Sequence, residues 1–302
     1  MKTPILIILF NRPDFFVKII NILKIIKPQK IYLSIDGPRK NNNSDKKKIK
    51  KNIELIKKID WKTKVKVKIN KYNKNSKNHP ISAINWIFKT EDKGIILEDD
   101  CIPSISFFNF CEILLKKFKN NKKISMISGR NNLENSFHKK SYYFTFGSTW
   151  GWATWKRAWK HNDSSLKNWH RTKYKNSFNK NLSDYSFFRE MLSRRCQDIV
   201  NGELKTAWDF QWLYSIISRN MIAVVPTVNL IKNIGFDSRS SHTKTNDVLK
   251  KIRNYELDFP LKHNNRIKVD KKLLLMEYNK IYKPNLINAS KKIIYKFLKK
   301  FF

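Results

Sequence analysis

Short apolar runs alternate with amphipathic segments through the first 130 residues, and nearly every apolar run stops at a polar turn. Pro4–Phe10 is a continuous Ile-rich run, which suits a strand buried on both faces. Pro13 opens a helix over Phe15–Ile26. Lys30–Ile35 reads as a second strand ending at Asp36-Gly37-Pro38. A Lys/Asn-rich loop, 39–51, runs into a helix near 49–59, and Val65, Val67 and Ile69 alternate with Lys as a more exposed strand. A helix over Ile81–Phe88, a short strand at Gly94–Leu97, a helix over 104–118 and a strand at Ile124–Ser128 follow. Such alternation predicts an α/β fold with a mainly parallel central sheet and helices on both faces, Rossmann-like in plan. Ligands on these sheets bind beyond the carboxyl ends of strands. Three polar signals fall at such ends: Asn11-Arg12, Asp36-Gly37 and Glu98-Asp99-Asp100.

The second half differs. Phe144–Trp159 crowds Trp150, Trp152, Trp155 and Trp159 around Gly147 and Gly151. Residues 160–182 read as a polar loop, 183–200 and 208–219 as helices, and Met221–Val225 as a strand. The expected division is a catalytic domain over 1–245 and a basic C-terminal extension over 246–302. The extension ends in an amphipathic helix, with Ile293, Ile294, Phe297, Leu298, Phe301 and Phe302 on one face and lysines on the other. That pattern suits peripheral contact with an anionic membrane surface or docking on the domain itself.

Composition excludes several classes. With 41% hydrophobic and 13% aromatic residues the chain has material for a core, so it is not a disordered chain. Seven Gly and nine Pro exclude collagen-like sequence. The net charge of +39 points to nucleic acid, an anionic surface or phosphorylated substrates, or it reflects the Lys, Asn and Ile bias of an AT-rich genome. The Lys excess is scattered and no nucleic-acid-binding motif is present, which argues against a specific nucleic-acid partner. Three unspaced cysteines, Cys101, Cys111 and Cys196, give neither a disulfide framework nor a zinc pattern. A reducing cytoplasm, with no signal peptide and no transmembrane span, is the expected setting.

Adjacent carboxylates repel one another, and after a buried strand they need relief. For Glu98-Asp99-Asp100 a divalent cation would supply it: hard oxygen ligands favour Mg²⁺ or Mn²⁺, which bridge protein carboxylates to a diphosphate. The bland alternative is a solvated turn, or an acid capping the next helix.

Gly94-Ile-Ile-Leu-Glu-Asp-Asp-Cys-Ile-Pro-Ser104 with Phe107-Phe108 resembles the acidic segment of GT-A-fold glycosyltransferases. It is most similar to protein-mannoside N-acetylglucosaminyltransferases and related bacterial enzymes. Pro4–Arg12, Ser34–Gly37, Ser128-Gly129, Trp150–Trp155 and Trp208-Asp209 match in the same order, over roughly residues 1–245. The resemblance implies a metal-dependent transferase moving a sugar from a nucleotide diphosphate donor, a UDP-sugar, to a glycan or lipid-linked acceptor, with inversion, in surface polysaccharide synthesis. Asp100 would bind the metal, with His242 as a second ligand or phosphate contact beside Arg239. Asp99 would contact the ribose or sugar, and Glu98 would support the sugar side. Asp36 would accept from the base, while Asn11 and Arg12 would approach the base or diphosphate. His79 would be a further donor contact. Asp209 would take the acceptor's proton. One or two of Trp150, Trp152 and Trp155, with Trp150 and Trp152 the first candidates, would reach the pocket while the others pack inside, and Gly151 would let the backbone approach the ligand. Simpler roles also exist: Asp36 as a turn former, Arg12 in an ion pair, Asp209 as a helix-start acid, and the tryptophans as core. A basic nucleic-acid-binding protein and a sugar nucleotidyltransferase are the competing functions, although the latter would normally carry a Gly-rich phosphate loop.

Overall fold

The computed structural model describes residues 1–136, 139–236 and 247–281. Arg239, His242 and the amphipathic helix over 291–302 lie outside the described residues.

The core is one eight-stranded sheet. Its strands are β1 (Ile5–Leu9), β2 (Lys30–Ile35), β3 (Lys64–Ile69), β4 (Lys93–Glu98), β6 (Ile124–Ser128), β7 (Tyr142–Thr145), β8 (Trp152–Trp155) and β9 (Ile222–Pro226), in the order β3-β2-β1-β4-β8-β6-β9-β7. A separate ribbon pairs β5 (Cys101–Pro103) with β10 (Ile231–Asn233). In the main sheet β1, β2, β3, β4, β6 and β9 run one way, while β7 and β8 run against them. The chain therefore folds as a mixed α/β protein with a mainly parallel, Rossmann-like sheet flanked by helices.

The helices are α1 (Pro13–Ile26), α2 (Asn43–Leu55), α3 (Asn75–Ile87), α4 (Ile105–Lys117), α5 (Lys156–Trp159), α6 (Thr172–Asn181), α7 (Ser186–Val200), α8 (Asp209–Ile217), α9 (Asp247–Lys251) and α10 (Lys271–Ile281). Every residue of β1 is buried, as its unbroken apolar run requires. At the sheet edge β3 alternates Lys with Val and Ile, and these lysines discourage pairing with another chain. Pro13 occupies the first turn of α1, where no backbone N–H is needed, and Lys27 closes that helix in the left-handed conformation.

Three segments depart from the sequence reading. Helix α3 begins five residues before Pro80, because loop hydrogen bonds seed a turn that the proline only interrupts. Residues 172–181, expected as loop, form α6, anchored by buried Phe178 against Trp169 and Tyr214. The tryptophan block includes a strand: β8 inserts antiparallel between β4 and β6, pairing Gly94 with Thr154 and Met126 with Thr154. Within 246–302, the expected C-terminal extension, Leu261, Leu274 and Tyr278 join the main core and α10 lies against β7. Among the described residues, no helix is long and apolar enough to cross a membrane.

Candidate active site at the carboxyl ends of β1, β2 and β4

The parallel strands β2-β1-β4 bring the three polar turns to one edge of the sheet. The Asp36 N–H donates to the Leu9 carbonyl at 2.9 Å, tying the ends of β1 and β2 together. A cavity of about 320 Å³ opens there, lined among others by Arg12, Asp36, His79 and the acidic triplet.

Arg12 sits where β1 turns into α1, and its guanidinium spans two carboxylates. Nη1 donates to Asp99 Oδ1 and to Asp100 Oδ2, both at 2.9 Å. Burial alone would lower the Arg12 pKa, but the charges of Asp99 and Asp100 outweigh it and raise it. Asp99 also accepts from the Phe10 N–H at 3.3 Å. Burial pushes its carboxyl up to about 6 even though Arg12 opposes the shift. Burial, followed by the charges of Asp100, Asp99 and Asp209, holds Glu98 well above the carboxylate range. Its protonated form is thereby favoured, so Glu98 is suited to donate a hydrogen bond. Asp100 is held at the start of the β5–β10 ribbon. Its carbonyl accepts from the Ile234 N–H at 2.9 Å, and a Cβ on Gly235 would lie 2.2 Å from Asp100 Oδ2. Glycine at 235 is thus what leaves Asp100 room.

Asp36 lines the cavity but is fully engaged. Its two oxygens accept from Gly37 N, Asn70 Nδ2, Asn73 Nδ2 and Lys74 N at 2.9–3.0 Å. A carboxylate offers about four lone-pair sites, so little acceptor capacity is left for a base. Asp36 organises the 70–74 loop, and burial pushes its carboxyl upward despite those bonds. That loop delivers Asn73, Asn75 and Ser76 to the cavity, with Asn75 in the left-handed region at φ 65°. Asn tolerates this conformation better than most residues. None of the three was singled out from sequence, although the Asn-rich run before α3 was their signal.

Asn11 does not line the cavity. Its Nδ2 donates to Asp45 Oδ1 at 2.7 Å, and Asp45 also holds Arg39 through Nε at 2.7 Å and Nη2 at 2.9 Å. Arg39, a residue not singled out from sequence, lines the cavity together with Arg12, and Asn11 helps to hold its partner Asp45. His79 does line the cavity, from α3, with Nε2 3.0 Å from Ser34 Oγ. Burial, helped by Lys68 and Lys74, lowers its pKa to about 3, so the ring is neutral. Unfolded His binds a proton near pH 6.5 and folded His79 does not, so His79 lowers stability as the pH falls below 6.5. Between pH 7 and 5 this amounts to about 2 kcal/mol. Urea unfolding of wild type and His79→Gln at both pH values should show that difference, and equal acid losses in the two would refute the assignment.

The tryptophans divide. Trp150 is partly exposed and forms a wall shared by this cavity and a second one of about 230 Å³. Arg130 is buried beneath it, its Cζ 5.0 Å from the ring centroid, and donates to Asn132 Oδ1 at 3.0 Å and to the Ile231 carbonyl at 3.1 Å. Trp152 lines neither cavity. It is 1% exposed and lies within 6.1 Å of the rings of Trp159, Trp208 and Trp212. An apolar ring on a central strand gains more from that packing than from solvent. Gly151 faces Ile231 rather than a ligand: it has φ +62°, and a Cβ there would lie 2.4 Å from Ile231 Cδ1. Asp209 starts α8 and lines the second cavity beside Trp150.

No family model matches the chain, and no curated protein matches it. Among solved structures it is similar to a candidate glucose-1-phosphate thymidylyltransferase from Bacillus anthracis in complex with a sucrose. The two share 9% identity and a TM-score of 0.34, over 56% of this chain and 77% of that one.

Proposed function

We propose that the chain is a GT-A-type glycosyltransferase taking a sugar from a nucleotide diphosphate donor, with a UDP-sugar as the first candidate. The acceptor would be a hydroxyl of a glycan or lipid-linked molecule in bacterial surface polysaccharide synthesis. One observation carries this reading: the acidic triplet ends a buried parallel strand inside a cavity, faces a half-buried arginine, and shares the Trp150 wall with a second cavity bearing Asp209.

Mn²⁺ or Mg²⁺ fits this donor set. Such ions are commonly held by one or two carboxylates plus substrate phosphates, and Asp99 and Asp100 already share a cation, the Arg12 guanidinium. Among the described residues, no group of three or more His, Cys, Asp or Glu is placed to hold a metal ion by itself, so substrate oxygens would have to complete the shell. Asp100, with Asp99, would hold the ion once Arg12 turned toward the diphosphate, and the bound ion would supply Lewis-acid neutralisation of the leaving group.

The protein's own groups do the rest. Arg12 and Arg39 attract the diphosphate, and Glu98 supports the donor's sugar side. The acceptor oxygen attacks the anomeric carbon from the face opposite the diphosphate, and Asp209 takes its proton. The bond to the diphosphate breaks with the electron pair leaving on its oxygen, and the configuration inverts.

Calorimetric titration with UDP tests the donor site. Binding should tighten at least tenfold on adding Mn²⁺, and Asp100→Asn should abolish that gain. An unchanged gain in the variant removes Asp100 from the role. Release of pyrophosphate from a nucleoside triphosphate and a sugar 1-phosphate would instead mark a nucleotidyltransferase.

A further inference from the structure

We infer that the second cavity binds an apolar group of the acceptor, a ring or short alkyl segment lying next to the hydroxyl that receives the sugar. This rests on the reading above and names the acceptor's chemistry.

The two cavities share Trp150 but differ in character. The first presents Arg12, Arg39, Asp36 and the acidic triplet, which suits a charged nucleotide. The second is walled mainly by Phe146, Trp150, Trp212, Leu213 and Ile216, and Asp209 is the one ionisable residue lining it among the described residues. Its polar remainder is small: Asn132, Ser148 and Thr149. A fully hydroxylated sugar buried there would lose its water hydrogen bonds and find few replacements, an unfavourable exchange. An apolar group loses nothing comparable and gains from leaving water. Size agrees. Drug-sized ligands occupy about 300–1,000 Å³, so a space of about 230 Å³ takes one ring or a short chain.

Position supplies the link to chemistry. Asp209 lines the second cavity alongside Trp150, the residue the two cavities share. Trp150 is held from below by Arg130 and from the side by Phe236, whose ring centroid is 5.8 Å away. The partition is therefore a supported wall. A group seated against it would present its attached hydroxyl toward Asp209 and the donor cavity.

Calorimetry on the full chain, with phenyl β-D-glucopyranoside, 2-phenylethanol and glucose as probes, tests this. Both phenyl compounds should bind at least tenfold more tightly than glucose. Leu213→Trp, which fills the cavity, should weaken them at least tenfold and leave UDP binding unchanged. Glucose binding as tightly as its phenyl glycoside, phenyl probes that do not bind, or a folded Leu213→Trp chain that binds them as before would each overturn the inference. The wild-type comparison decides alone where the variant does not fold. The UDP arm separates the two proposals: phenyl binding without UDP binding refutes the donor site and keeps the apolar cavity, and the reverse refutes the apolar cavity alone.

Discussion

Asp209→Asn is expected to lower sugar transfer by about 10²–10⁴-fold, the usual contribution of a positioned general base, while UDP binding stays unchanged. The amide keeps the shape of the carboxylate and cannot accept the acceptor's proton as attack proceeds. Asp209 belongs to the second cavity, across Trp150 from the carboxylates that Arg12 bridges, so the loss should fall on turnover and spare donor affinity. The measurement is steady-state transfer alongside UDP calorimetry. Full activity in Asp209→Asn would assign the proton to another group.

Trp152→Ala should destabilise the fold by about 3–5 kcal/mol, the range for deleting a large aromatic from a core. Trp152 is 1% exposed and meets three further indoles, Trp159, Trp208 and Trp212, with centroid distances of 6.0–6.1 Å. Each such aromatic contact adds about 0.5–1.5 kcal/mol beyond burial. The effect should reach the site as well. Trp208 stacks on Trp152 and precedes the first residue of α8, which is Asp209. Loosening that stack should reduce turnover more than UDP affinity, because the donor cavity rests on β1, β2 and β4. Urea unfolding gives the stability, and a loss below about 1 kcal/mol would show the indole to be a surface group.

Local pattern made the architecture legible. Ile-rich β1 and the Gly94–Leu97 core of β4 are continuous apolar runs with polar stops, β2 departs from that only at Lys30 and Ser34, and such runs have few alternatives to buried strands. That three stops share one edge follows from parallel pairing, which alternation with helices requires. The acidic triplet, Arg12, His79 and Trp150 stand out in the sequence because each is costly or unusual where it stands, and the fold brings them to one cavity. That Asn11 bonds Asp45 and Gly151 packs on Ile231 is not legible in the sequence, because these partners are 34 and 80 positions away. Arg39 was passed over for a different reason. Its anchor Asp45 is near in sequence, but the cavity it enters is built by β1, α3 and β4.

The amino-acid order by itself determined the alternating elements, the buried parallel strands and the carboxylates at the end of β4, because periodicity and burial act over a few residues. Tertiary structure decided the rest: that Arg12 bridges Asp99 and Asp100, that Asp36 spends its acceptors on its own loop, and that Trp150 divides two cavities while Trp152 is core. Those outcomes depend on which distant groups share a low-dielectric space, and hydrogen bonds and charges settle on partners that only the folded chain brings within reach.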